Sequence, residues 1–231
     1  MSEKRLIVNR ADDRVKQMTD FSHPIIKSYA QKCNADFKVL SHKADIQTDS
    51  KVDDWITVFR TMEIYNLFDQ YDRILHLDSD VLIHPKSPNI FDVVPEDQVG
   101  VLFEDRGSRR PHRLECLANA QKQFGDIEWT RGYPNSGVLL ASKQHRNIFT
   151  KINGQYYTEW GGCDVMHGYN IKKHGYEVFE LSYNWNHMSM FSEEWNGCAN
   201  KFKSYIIHYA GPQTGKLNKM KEDWPIFKGS Y

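Results

Sequence analysis

Two aspartates one residue apart, Asp78-Ser79-Asp80, stand between the apolar runs Arg73-Ile74-Leu75-His76-Leu77 and Val81-Leu82-Ile83. That setting predicts a strand that carries both carboxylates out of a core to a bend. Ionised carboxylates held so close repel each other and lose hydration unless a cation or hydrogen-bond donors compensate. A divalent ion with oxygen ligands is the natural compensation. An ordinary turn or helix cap is the competing explanation, because acidic pairs in turns are common.

The elements around the triplet read as an α/β domain with a mainly parallel central sheet flanked by helices. Strands are expected at Leu6–Val8, Asp36–Leu40, Arg73–Leu77, Val81–Ile83, Val99–Phe103, Gly137–Leu140, Val178–Leu181 and Tyr205–Tyr209. Helices are expected around Pro24–Ala30, with proline near the start, and over Asp54–Gln70, where Trp55, Phe59, Met62 and Tyr65 recur at helical spacing. Others are expected at Pro111–Phe124, Ser142–Ile152 and Asp164–Lys173. Ligands of such sheets sit at the carboxyl ends of strands, where Asp78 and His208 both fall.

A chain of 231 residues with no linker or repeat fits one domain, able to bury about 70% of its unfolded surface. Lys plus Arg and Asp plus Glu stand at 30 each, so nothing in the charge suggests a nucleic-acid partner. The four cysteines, Cys33, Cys116, Cys163 and Cys198, are scattered, which argues for reduced thiols over a disulfide framework or zinc site. No apolar run reaches the length of a signal core or membrane span, so the expected setting is cytoplasmic or a soluble part of a larger protein.

Three motifs in order, Leu77-Asp78-Ser79-Asp80-Val81-Leu82, Asn135-Ser136-Gly137-Val138 and His208-Tyr209-Ala210-Gly211-Pro212 with Lys216, resemble the signatures of GT-A fold glycosyltransferases. The likeness is to the glycogenin and bacterial lipopolysaccharide galactosyltransferase type, and the compact size is similar to glycosyltransferase domains of large algal viruses. The resemblance runs from the first strand to about Lys216. It implies a GT-A, Rossmann-like single domain over residues 1–231, with a nucleotide-binding half at 1–104 and an acceptor and sugar half at 105–231.

It also implies roles. Asp78 and Asp80 would reach a metal, Asp78 also the ribose, and His208 would be the third ligand; taken alone, His208 reads as a core histidine. A carboxylate and imidazole set with positions left for phosphate oxygens suits Mn²⁺ better than Mg²⁺. Lys216, otherwise a plain surface lysine, would approach the diphosphate of a UDP-sugar and assist its departure. Asn9 and Asp12 fall where the family holds the nucleoside, with helix capping the rival role for Asp12. Arg60 falls where the family places a basic residue facing the donor. Ser79 and Gly211 belong to the same donor set. Asn135 and Ser136 suit sugar hydroxyls or a strand-entry turn. Asp164 is a donor-sugar contact, a catalytic base or a helix cap, in a segment where Cys163 replaces part of the family's acidic or amide pair. Trp185 is a sugar platform or a core residue; Trp160 and Trp195 have no assignable role.

The reaction implied is transfer of a sugar to a hydroxyl acceptor, itself a carbohydrate; the galactosyltransferase likeness implies retention of configuration, and Asp164 as a base beside the acceptor would give inversion instead. Two rivals share the features. Haloacid-dehalogenase-type phosphatases also set Asp-x-Asp after an apolar strand, but on their first strand, whereas two strands precede it here. A non-catalytic carbohydrate-binding protein would not need a diphosphate site.

Overall fold

A computed structural model describes residues 3–40, 59–211 and 214–230. A six-stranded sheet forms from β1 (Arg5–Arg10), β2 (Ala35–Leu40), β3 (Arg73–Leu77), β5 (Val99–Phe103), β6 (Pro134–Ser142) and β7 (Val178–Glu180), in the order β2-β1-β3-β6-β5-β7. β6 alone runs against its neighbours, pairing antiparallel with β3 and β5, while β1–β2, β1–β3 and β5–β7 are parallel. The two sequence halves therefore interleave, since β6 lies between β3 and β5.

Alternation explains how both faces are covered. Ile7, Leu75, Leu77, Val138 and Leu140 face one core, which Ile26, Tyr29 and Ala30 of α1 (Lys16–Lys32) complete. Leu6, Val8, Ile74, Leu139 and Ala141 face the other, closed by Ile64, Phe68, Phe149 and Ile171. Strands buried on both faces read as nearly continuous apolar runs, which is why β3 and β6 stand out in the sequence. Ile171 belongs to α3 (Gly162–Lys173), and α2 (Arg110–Phe124) packs beside it over a third cluster containing Leu117, Met166 and Tyr169.

The remaining two strands form a separate sheet. β4 (Val81–Ile83) pairs antiparallel with β8 (Ile206–His208), with Val81 opposite His208. Leu82 and Ile207 bury against Met18 of α1 and Met220 and Phe227 of α4 (Lys216–Lys228). β4 and β8 are thus not continuations of the central sheet, as the apolar runs suggested.

Helix α1 begins at Lys16, eight residues before Pro24, so the proline sits inside the helix and not at its start. Residues 54–58 of the expected 54–70 helix lie outside the described residues; the rest of that stretch holds a 3-10 turn at Arg60–Glu63 and one α-turn at Ile64–Leu67. The expected helix at 142–152 is a 3-10 stretch, Lys143–Phe149. All four cysteines are free, with Cys198 alone exposed. No helix among the described residues is long and apolar enough to cross a membrane.

Candidate active site: an acidic cage and its anchored histidine

The bend after β3 is built by three hydrogen bonds. Asp78 N–H donates to the Gly137 carbonyl at 2.9 Å, and the Ser79 hydroxyl lies 2.7 Å from the Arg10 carbonyl and 3.0 Å from Asn9 Oδ1. Tyr209 N–H donates to the Asp80 carbonyl at 2.9 Å, which lays the end of β8 against the triplet. The result brings His208 Nε2 within 3.3 Å of Asp80 Oδ1 and 3.7 Å of Asp78 Oδ2. Gly137 makes room: a Cβ there would stand 2.3 Å from His208 Cε1.

Each carboxylate also holds a fixed cation. Arg10 places Nε 3.0 Å and Nη2 2.9 Å from Asp78 Oδ1, and Lys216 Nζ lies 2.6 Å from Asp80 Oδ2 and 3.0 Å from the Gly211 carbonyl. Burial pushes both carboxyls up, but Arg10 and His76 more than offset this at Asp78, and His208 and Lys216 do so at Asp80; both end below the ordinary value, Asp80 far below. At His208 burial pulls the imidazole down, and the two carboxylates, Asp80 foremost, raise it above its usual value. The two carboxylates thus favour positive charge on the imidazole between them.

His208 is oriented by a buried relay. Its Nδ1 lies 2.8 Å from Asn186 Oδ1; Asn186 Nδ2 donates to Asn135 Oδ1 at 2.9 Å; Asn135 Nδ2 donates to Glu104 Oε2 at 3.0 Å. Arg113 pairs with the other oxygen of Glu104. A carboxylate held by a guanidinium can only accept, so the relay has one polarity: amide hydrogens point toward Glu104 and amide oxygens toward His208. Nδ1 must then carry the imidazole hydrogen, and in the neutral ring the Nε2 lone pair faces the two carboxylates. Such an outer partner fixes the tautomer of a metal-binding histidine.

One oxygen from each aspartate and a ring nitrogen of His208 lie within 4.8 Å of one another. Three donor atoms so close, one of them a lone pair held in place by its relay, fit a divalent ion with mixed oxygen and nitrogen ligands. His76 sits below, its Nδ1 2.7 Å from the Ser136 carbonyl and its Nε2 3.8 Å from Asp78 Oδ1; burial lowers its pKa to about 4 and keeps it neutral.

The cage opens into a cleft of about 330 Å³ whose lining includes Glu104, Arg109, Asn135, Trp160 and Asp164. Asp164, in the first turn of α3, accepts from Ser136 N–H at 2.9 Å and from the Ser136 hydroxyl. Burial, opposed by those hydrogen bonds but reinforced by Glu104 and Asp78, raises its carboxyl to about 6. Gly161 leads into α3 with φ +95°, in contact with Tyr133: a Cβ there would lie 2.4 Å from the Tyr133 hydroxyl.

Of the residues expected at the site, Asp78, Asp80, His208, Lys216, Gly211, Asn135 and Asp164 line this cleft, and Ser136 supports Asp164 from beneath. Four others do different work. Asn9 is fully buried, donating to the Leu77 carbonyl at 2.7 Å and meeting His23 at 2.9 Å, so its amide locks β1 to β3. Ser79 turns inward to that lock. Arg60 is buried and donates to the Ala11 carbonyl at 2.8 Å, facing neither solvent nor cleft. Asp12 caps the turn at Asp13–Val15 through Arg14 N–H at 3.0 Å. Trp185 is in the core against Tyr205, not a platform. Pro212 lies outside the described residues.

Glu104 and Arg113 are absent from the expected site, and Arg10 and Asn186, which stand in stretches where the resemblance places a nucleoside contact and an amide, have no role of their own in it. Arg10 was the findable one: Asn9 pairs with Leu77 in register, so parallel β1 and β3 set the next residues, Arg10 and Asp78, side by side.

Sheet order, the separate two-stranded β4–β8 sheet and the acidic bend together define a GT-A, Rossmann-like fold. No family model and no curated protein sequence matches the chain, but solved structures do. A glycosyltransferase involved in glycosylation of the major capsid of PBCV-1 superposes with a TM-score of 0.61 at 12% identity, over 96% of this chain and 100% of that one. The galactosyltransferase LgtC, solved with donor and acceptor sugar analogues, gives 0.58 at 15% identity, over 98% and 95%. Mouse xyloside xylosyltransferase 1 gives 0.53 at 12% identity, over 90% and 98%. At these identities the likeness establishes the fold.

Proposed function

We propose that the chain is a metal-dependent glycosyltransferase that moves a sugar from a UDP-sugar to a hydroxyl of a carbohydrate acceptor, with retention of configuration. The observation that carries this reading is the cage: Asp78, Asp80 and His208 converge within 4.8 Å at the mouth of a cleft, with Lys216 on Asp80. The shared fold with LgtC and the PBCV-1 glycosyltransferase supports it.

In this reading Asp78, Asp80 and His208 hold Mn²⁺, with Mg²⁺ as the lesser substitute. The ion, when bound, neutralises charge that develops on the departing diphosphate. Lys216 stands beside the same space and brings a second positive charge to that leaving group. The acceptor oxygen bonds to the anomeric carbon as the bond from that carbon to the diphosphate breaks. The electron pair departs on UDP, and the acceptor proton passes to the leaving phosphate oxygen. Asp164, tied to Ser136, faces the sugar of the donor. An inverting enzyme would need a free carboxylate beside the acceptor hydroxyl; a carboxyl committed to Ser136 suits the donor role better.

A phosphatase reading is poorer. Its nucleophile would be Asp78, yet Arg10 occupies Asp78 Oδ1 through two nitrogens.

Calorimetric titration with UDP tests the proposal. Binding is expected with Mn²⁺ and absent in EDTA; equal affinity in both would overturn the metal reading. Screening UDP- and GDP-sugars for metal-dependent hydrolysis then identifies the donor.

A further inference from the structure

The wall of the cleft that includes α2 carries groups for which the donor chemistry has no use. Trp160 is 47% exposed, large for a tryptophan, and lines the same cleft as the cage. It is nevertheless held firmly: the Arg113 guanidinium lies 4.1 Å from its ring centroid, and the His112 ring meets it edge-on at 4.4 Å. Arg113 is itself buried and paired with Glu104. With the ring steadied by a fixed guanidinium and still about half exposed, the indole offers the cleft open aromatic surface for the apolar face of a sugar ring.

One cation on the same wall is unpaired among the described residues. Arg10, Lys216 and Arg113, the other cations of the cleft, each hold a carboxylate: Asp78, Asp80 and Glu104 respectively. Arg109 also lines the cleft and is exposed, but it pairs with no carboxylate among the described residues. A donor diphosphate already meets the cage and Lys216, and this leaves Arg109 as a cation with no carboxylate on it, in the same cleft as the exposed indole.

We infer that Trp160 and Arg109 form the acceptor subsite and that the acceptor is an anionic saccharide, its ring stacked on Trp160 and its carboxylate or phosphate on Arg109. The inference rests on the glycosyltransferase reading above and adds the class of acceptor to it. A planar guanidinium pairs with either anion in two-pronged fashion, so the protein side of the contact is the same for both.

The test compares three probes on protein loaded with Mn²⁺ and UDP: 4-nitrophenyl β-glucoside, the corresponding glucuronide, and the glucoside 6-phosphate. UDP binding that requires Mn²⁺ is established first; its failure would sink the glycosyltransferase reading itself. Given that binding, at least one anionic probe should bind about tenfold tighter than the neutral glucoside, and the tighter of the two names the anion. Arg109→Ala should bring the ratio to about one, Arg109→Lys should keep part of it, and Trp160→Ala should weaken all three probes alike. No anionic preference in the wild type, or a preference that survives Arg109→Ala, would overturn the inference while leaving the donor site standing.

Discussion

On the side of the cleft built by β1, β3 and the β4–β8 sheet, each charged group is paired: Arg10 with Asp78, Lys216 and His208 with Asp80. On the side built by the start of α2 and the turn into α3, Arg109 holds no carboxylate among the described residues, Trp160 is half open, and Asp164 is answered by a serine alone. The first wall is preorganised and dense in charge, as a site must be to stabilise a multiply charged leaving group without reorganising. The second is set for something that arrives with its own groups. Losses on the first wall should therefore be large and shared by all donors, and losses on the second smaller and dependent on the partner.

The largest effect should come from the cage itself. Asp80→Asn removes the carboxylate charge shared by His208 and Lys216, and Mn²⁺-dependent UDP affinity is expected to fall on the order of a hundredfold or more. Calorimetry measures it directly; unchanged affinity would place the ion elsewhere. Next comes the relay. Asn186→Ala takes away the acceptor that fixes the His208 Nδ1 hydrogen, and Mn²⁺ binding followed by electron paramagnetic resonance should weaken about tenfold. A variant as tight as the wild type would mean that the ring is oriented by packing alone.

These two walls also differ in how much of them could be read from the chain. Asp78 and Asp80 announce themselves because an apolar run buried on both faces of a sheet is rarely broken by acids without cause. His208 and Lys216 became legible through the order of three short motifs, not through their own surroundings. Asn9, Ser79 and Arg60 show the limit of that route: residue type and location were right for a cleft, but a polar side chain beside a sheet can equally turn inward, and all three did. The relay was invisible because its steps join residues 22, 51 and 31 positions apart, so no local spacing records it. β4 and β8 were found as strands, yet their apolar pattern could not say that they form a sheet of their own.

The last expected effect concerns Asp164 and falls on folding stability, not on binding; its sign comes from the proton balance. Its carboxyl sits at about 6 in the fold against 3.8 for the free side chain, because burial outweighs the two Ser136 hydrogen bonds and Glu104 and Asp78 add repulsion. An acid whose pKa is raised by folding holds its proton better folded than unfolded. Its contribution to stability is complete below pH 3.8 and is lost as the pH rises through 6. Asp164→Asn keeps an oxygen for Ser136 and removes the titration. Between about pH 4 and 7, with no Mn²⁺ added, the wild type should lose about 2 kcal/mol relative to this variant, read from urea midpoints at constant m-value. Parallel curves for the two proteins would mean that Asp164 is ionised throughout, its charge met by solvent in the cleft, and the contrast between the two walls would then rest on Arg109 and Trp160 alone.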